Sequence, residues 1–139
     1  LYGGIDSEFL SIPFFRKVND FVYTLWDKWK RAGCIYTPIT KRSICKDAVQ
    51  NMTAFKLFNY YLQAIETEVS VRKLQQVQDL LREYESCIVL YTYDSVLFDM
   101  NYEEARELLP AIKNVLEQGN LPVKCKVGDI YDKMKTISL

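Results

Sequence analysis

Histidine is absent from the 139-residue sequence, and its four cysteines, Cys34, Cys45, Cys87 and Cys125, lie far apart with no Cys-x-x-Cys spacing. Zinc is held by clustered thiolates and imidazoles, so a zinc site is poorly supported and four free thiols are expected. No apolar run approaches the roughly 18 to 20 residues of a membrane span. Nor does a basic stretch followed by an apolar core open the chain. These absences predict a protein with no membrane partner, intracellular and cytoplasmic. Internal repeats, low-complexity tracts and Gly/Ser linkers are missing as well. What remains is one domain's worth of chain, and its apolar fraction of 49% predicts a soluble globule rather than a disordered segment. An initiator methionine is also lacking; the opening Leu-Tyr-Gly-Gly suggests a processed or truncated chain.

Net charge is likewise absent, but the charges that cancel are not mixed evenly. Residues 1–73 carry +4 and residues 74–139 carry −4. The sharpest patch runs from Lys28 to Lys46, with Lys28, Lys30, Arg31, Lys41, Arg42 and Lys46 and no acid among them. Such a patch suits a polyanion, because each neutralised phosphate releases counterions, and Trp29 and Tyr36 are candidates for stacking on bases. A solvated face is the competing reading.

Apolar spacing at Phe14, Val18, Phe21, Val22, Leu25 and Trp29 predicts a helix over residues 12–32, with Pro13 in its first turn and Gly33 as a left-handed cap. Residues 34–37 and 42–45 read as a small hairpin around the Pro38–Thr40 turn. Asp47 is the expected N-cap of a long helix over 48–85, with the β-branched run 67–71 as a candidate bend. Residues 87–92 and 96–100 read as strands separated by Tyr93, Asp94 and Ser95. A helix over 103–118 follows, with Pro110 inside it and Gly119 closing it, and 122–127 is a last strand. The order predicts an α+β fold, an antiparallel sheet covered on one face by helices.

Asp94 stands at the centre of an otherwise apolar and aromatic stretch, Leu90 to Met100. An acid in a turn often serves only to bind its own backbone. Four landmarks in order point further: Tyr2-Gly3; the segment from Gly33 to Arg42; Asn59 and Gln63 in Asn-Tyr-Tyr-Leu-Gln; and Leu90 to Asp99. In this order the chain resembles the C-terminal fingers and palm of family A DNA polymerases, the DNA polymerase I type. Tyr2-Gly3 is similar to the end of the fingers-helix motif, and the Gly33 segment to G(Y/F)VxTxxGRR. Asn59 and Gln63 match the N-x-x-x-Q of the long palm helix, and Leu90 to Asp99 falls where the family has its motif C. The ending from Leu121 to Tyr131 resembles the family's terminal strand, glycine and aromatic. The resemblance covers essentially the whole chain. It implies residues 1–52 as the remainder of the fingers and 53–139 as the C-terminal palm, with the motif C hairpin and the last strand in one antiparallel sheet.

The resemblance also implies chemistry. Polymerisation is phosphoryl transfer between two Mg²⁺ ions clamped by carboxylates from separate strands. Asp94 would be the catalytic metal ligand of this chain, and Tyr2, Gly3, Lys41, Arg42, Asn59, Gln63 and Tyr93 would contact primer-template DNA. Three departures stand out: Tyr93 and Ser95 flank Asp94 where the family has histidine and glutamate, Thr40 replaces a glycine, and Phe55 sits where an arginine is usual. Ser95 is at best a group that hydrogen-bonds a bound water. The tyrosine and serine variants suit a divergent lineage such as a viral one, acting in a host cytoplasm. The expected partners are primer-template DNA, a deoxynucleoside triphosphate and a preceding segment or subunit carrying the second aspartate, without which the 139 residues should not polymerise. Apolar Phe9, Leu10 and Phe14 are expected to need covering by that segment. The alternative is a non-catalytic palm-like module that binds nucleic acid or protein; an unrelated α+β interaction domain ranks third. Phe58, Tyr60 and Tyr61 are expected in the core.

Overall fold

The computed structural model of the chain describes residues 10–48 and 50–138. It is α+β, with three α-helices and three two-stranded antiparallel sheets among the described residues. Two compact units meet between Val69 and Ser70, inside the longest helix.

The first unit begins with α1, Pro13–Ala32. Proline at the first helical position forfeits only an amide that would be unpaired anyway. Gly33 ends the helix at φ 79°, donating its amide to Trp29 O at 2.9 Å, and Lys30 and Arg31 complement the negative end of the helix dipole. Gly33 leads into the hairpin of β1, Cys34–Tyr36, and β2, Ser43–Cys45, in the register Cys34↔Cys45, Ile35↔Ile44, Tyr36↔Ser43. That register alters one expectation: Cys34 and Cys45 face each other and are joined as a disulfide, which leaves Cys87 and Cys125 as the free thiols. Burial raises the pKa of the Cys125 thiol, against the opposing charge of Lys113.

Ile35 and Ile44 pack with Leu25, Trp29 and the fully buried Leu57 as the core of this unit, flanked by Trp26, Met52 and Tyr61. Trp29, a candidate for stacking on bases, is buried instead, as its place in the apolar spacing of the helix implies, and its Nε1 donates to Ile44 O at 3.1 Å. An indole placed in a core needs such a partner.

The second helix, α2, runs Ala54–Leu80, shorter than expected at both ends. Asp47 does not cap it. Residues Lys46–Ala48 form a 3₁₀ turn, and Thr53 provides the cap, its Oγ1 accepting from Lys56 N at 3.3 Å and its carbonyl from Leu57 N at 2.9 Å. At the far end the chain tightens into a 3₁₀ turn at Leu81–Glu83.

The second unit packs Val77 and Leu81 against Leu108 and Ile112 of α3, Ala105–Glu117, with Ile88, Phe98 and Met100 alongside. Strands β3, Cys87–Thr92, and β4, Ser95–Asp99, supply Ile88 and Phe98, and their pairing is irregular at Val89, between Ile88 and Leu90. Glu104 fastens the loops around this core. Its carboxylate accepts from Glu85 N, Ser86 N and Ser86 Oγ at 2.7 to 3.0 Å, while Ser86 Oγ accepts from Asn101 N at 2.9 Å. The Ser86 hydroxyl first, with the Glu85 and Ser86 amides, holds the Glu104 carboxyl below the usual glutamate value against a smaller opposing effect of burial. Lys73 binds the carbonyls of Leu116 and Gln118 at the C-terminal end of α3, where a cation is favoured.

The expected single sheet is not formed. β5, Cys125–Val127, pairs with β6, Lys135–Ile137, rather than with the β3–β4 hairpin. Gly128 permits the return, because a Cβ there would lie 3.0 Å from Met134 Cα. A fragment as short as Lys-Thr-Ile carries too few residues for strand alternation to show in the sequence.

Candidate nucleic-acid interface and the Asp94 turn

Two features collect the residues singled out above, one in each unit. In the first, β2 and α2 enclose a groove of about 310 Å³ lined by Arg42, Ser43 and Ile44 on one side and Tyr60, Gln63, Ala64 and Thr67 on the other. The helical residues follow the i, i+3, i+4, i+7 spacing of one face. Ile44 and Ala64 are buried and give the groove an apolar floor, whereas Arg42, Tyr60 and Gln63 are exposed at its rim. Arg42 makes no side-chain hydrogen bond or ion pair among the described residues, so its guanidinium is available to an anion.

Arg42 and Gln63 are thus brought together, and Asn59 and Lys41 are not in the lining. Lys41 adopts φ 61° and turns its Nζ back onto Pro38 O at 3.0 Å, so it braces its own turn. Lys46 is similarly engaged, donating to Lys30 O at 2.7 Å over the Trp29 ring, and Lys30 pairs with Asp27 at 2.8 Å. Tyr2 and Gly3 lie outside the described residues, as does Phe9. Tyr61 packs against the core of the first unit; Phe58 is only half-buried, in edge contact with the exposed Phe21 at 6.1 Å between ring centroids, and Tyr60 is 45% exposed in the groove. Phe14 is exposed and Leu10 half-buried.

The turn that carries Arg42 is tied down by a residue that sequence reasoning passed over. Glu68 of α2 is buried, at 7% exposure, and its Oε1 accepts from the hydroxyls of both Thr37 and Thr40. Thr37 is itself joined to Arg42 by two bonds: Arg42 N donates to Thr37 Oγ1 at 2.9 Å and Thr37 N donates to Arg42 O at 3.0 Å. Burial pushes the Glu68 carboxyl up, but the two hydroxyls, with the Thr40 and Ile39 amides, together outweigh it and leave the pKa below the usual value. Oε2 of Glu68 is buried with no hydrogen-bond partner.

In the second unit, the turn between β3 and β4 is two residues long, Tyr93 and Asp94, because Ser95 already pairs with Thr92 as the first residue of β4. Tyr93 is 86% exposed and held at φ 47°, a left-handed conformation that glycine or asparagine adopts at less cost than a tyrosine. The Asp94 carboxylate is exposed and makes no hydrogen bond or ion pair among the described residues. The Ser95 hydroxyl lies 3.0 Å from Thr92 Oγ1 and donates to Thr92 O at 3.2 Å, so its bonds run across the hairpin. No group of three or more Asp, Glu, Cys or His side chains able to hold a metal ion occurs among the described residues.

Comparison of the chain with protein families, with curated proteins and with solved structures finds no match. Among the described residues no helix is long and apolar enough to cross a membrane.

Proposed function

We propose that the chain is the C-terminal portion of a template-directed DNA polymerase of the family A type, with Asp94 as its catalytic carboxylate and the groove between β2 and α2 as a contact to primer-template DNA. The observation that carries the proposal is the Tyr93-Asp94 tip: an exposed acid with no partner among the described residues, on a turn whose backbone is unfavourable for the tyrosine that occupies it. Conformational strain at an exposed tip of this kind is a mark of functional sites. The ordered sequence landmarks supply the reaction.

Asp94 fits Mg²⁺ as one hard oxygen ligand, for this ion retains waters and binds through one or two carboxylates together with substrate phosphates. When bound, the metal would neutralise charge on the phosphates and on the attacking hydroxyl. The chain's own part is to hold that carboxylate at the tip of a paired hairpin, with the Ser95 hydroxyl spent on Thr92 rather than on a ligand. In the groove, Arg42 would take a phosphate, Gln63 would present an amide to a sugar or base edge, and Tyr60 offers a ring to stack against. A deoxynucleoside triphosphate and a second carboxylate would come with the preceding segment of the polymerase.

The decisive experiment measures nucleotidyl transfer by the polymerase assembled from this chain and the segment bearing the second carboxylate. Asp94→Asn should abolish transfer while DNA binding survives, and Ser95→Ala should cost little. A folded Asp94→Asn protein with full activity would refute the catalytic role. The second reading, a non-catalytic nucleic-acid module, is favoured by one observation, the engagement of Ser95 where the family has a second acid. It would then stand in its place.

A further inference from the structure

We infer that Glu68 is a positioning residue for Arg42, fixing the guanidinium-bearing turn over the groove through the hydroxyl of Thr37. The inference rests on the reading of the groove as a nucleic-acid contact and extends it to a residue outside the lining.

Three observations converge. Glu68 is the buried acid of its helix face, and one of its oxygens gathers both threonine hydroxyls of the 37–42 turn from 28 and 31 residues away in sequence. The Thr37 hydroxyl, having given its proton to Glu68, has only lone pairs left to offer, and it spends one on the Arg42 amide. A continuous path of hydrogen bonds therefore leads from the carboxylate on α2 to the backbone of Arg42 on the opposite wall of the groove. The third observation is Oε2, buried and without a partner. Oε2 therefore adds no bond to the turn, and it is Oε1 alone that gathers the two hydroxyls. What the carboxylate does provide is an acceptor that fixes two hydroxyl rotors at once, and with them the part of the turn next to the groove.

Arg42 has no side-chain partner of its own to set its direction. The path of its backbone is what aims it. Loss of Glu68 would free the Thr37 rotor and loosen the Arg42 amide, and with it the backbone position from which the guanidinium reaches the groove.

The test is binding of a fluorescein-labelled primer-template duplex by the chain across a range of salt concentrations. Arg42→Ala should weaken binding and lower the slope of log K against log salt by about one counterion. Glu68→Ala should reproduce both effects, and the double variant should be no worse than Arg42→Ala. Glu68→Gln keeps the acceptor oxygen and should restore most of the affinity and the slope. General destabilisation would not lower the salt slope by the same single counterion. If Glu68→Ala fails to fold, as judged by tryptophan emission, Thr37→Val takes its place, since it removes the hydroxyl at similar volume. The positioning role is overturned if Arg42→Ala weakens binding while the folded Glu68→Ala and Thr37→Val proteins bind normally, or if their losses add fully to that of Arg42→Ala. An Arg42→Ala protein that binds like wild type overturns the reading of the groove itself, and the inference with it.

Discussion

Breaking the link between Cys34 and Cys45 should destabilise the first unit selectively, and the size of the effect follows from the loop it closes. The bridged residues are 11 apart in sequence. Loop-closure entropy of that length corresponds to about 2.8 kcal/mol at 25 °C. Reduction should leave the hairpin folded, since its ladder, the Lys46 N to Gly33 O bond at 3.0 Å and the burial of Ile35 and Ile44 all remain. The assay is urea unfolding followed by tryptophan fluorescence. Both tryptophans of the chain, Trp26 and Trp29, are stacked at 5.1 Å in the core of the first unit, so their emission reports that unit and not the other. With a urea dependence of about 1 to 3 kcal/mol per molar, the midpoint should fall by about 1 to 3 M. Cys34→Ser/Cys45→Ser and dithiothreitol-treated wild type should shift alike, and the reductant should do nothing further to the double variant. Coincident midpoints for oxidised, reduced and doubly substituted protein would refute the reasoning. A thiol titration of the denatured, unreduced chain should find two reactive cysteines. Because disulfides are rare in the cytosol, the same titration on freshly isolated protein bears on the expected compartment.

Other expectations follow from single contacts. Leu108→Ala, which empties a fully buried site, should cost about 2 to 5 kcal/mol in the second unit, seen as faster amide exchange in α3 while tryptophan emission is unchanged. Glu104 has a folded pKa below the ordinary 4.5, so the stability it confers is present above that value and is lost as pH falls through the lower, folded one. Glu104→Gln should therefore be less stable than wild type at neutral pH and show a shallower loss on acidification, measured by amide exchange of residues 85–86 against pH. Gly128→Ala should displace the Met134 backbone by a few tenths of an ångström and weaken the pairing of β5 with β6, detectable as faster amide exchange in these two strands.

Where the sequence carried local punctuation, the fold was legible. Pro13 and Gly33 bracket α1 because one tolerates and the other requires a special backbone at that place, and the apolar strands on either side of Tyr93-Asp94 leave only a hairpin. The start of α2 was misplaced because Asp47 has the chemistry of a cap, whereas it is Thr53, six residues on, that caps the helix whose first turn buries Leu57. The Cys34–Cys45 pairing was missed because the four thiols were weighed only by their separation in sequence, although the expected hairpin over 34–37 and 42–45 sets those two across from each other. Glu68 was invisible for a related reason. On paper it is a charge among Glu66 and Thr67 on a helix, and the hydroxyls that bury it lie a whole hairpin away. The candidate site was legible in its types of residue, Arg42 and Gln63 among them, but which of them share a groove depended on the helical face that α2 presents.

The irregular pairing at Val89 acquires a further meaning from the sheets around it. All six strands among the described residues belong to two-stranded sheets, so each one has an open edge with unpaired amides and carbonyls. Lys126 and Lys135 lie on β5 and β6, and lysine on an edge discourages further pairing. β1 and β2 are three residues each, too short to recruit much. Only β3 is six residues long with neither charge nor proline, Cys-Ile-Val-Leu-Tyr-Thr, the composition from which strands add to one another edge to edge. A bulge breaks the regular spacing that an incoming strand would have to match. Val89 thus interrupts the one strand edge whose composition would otherwise suit strand addition.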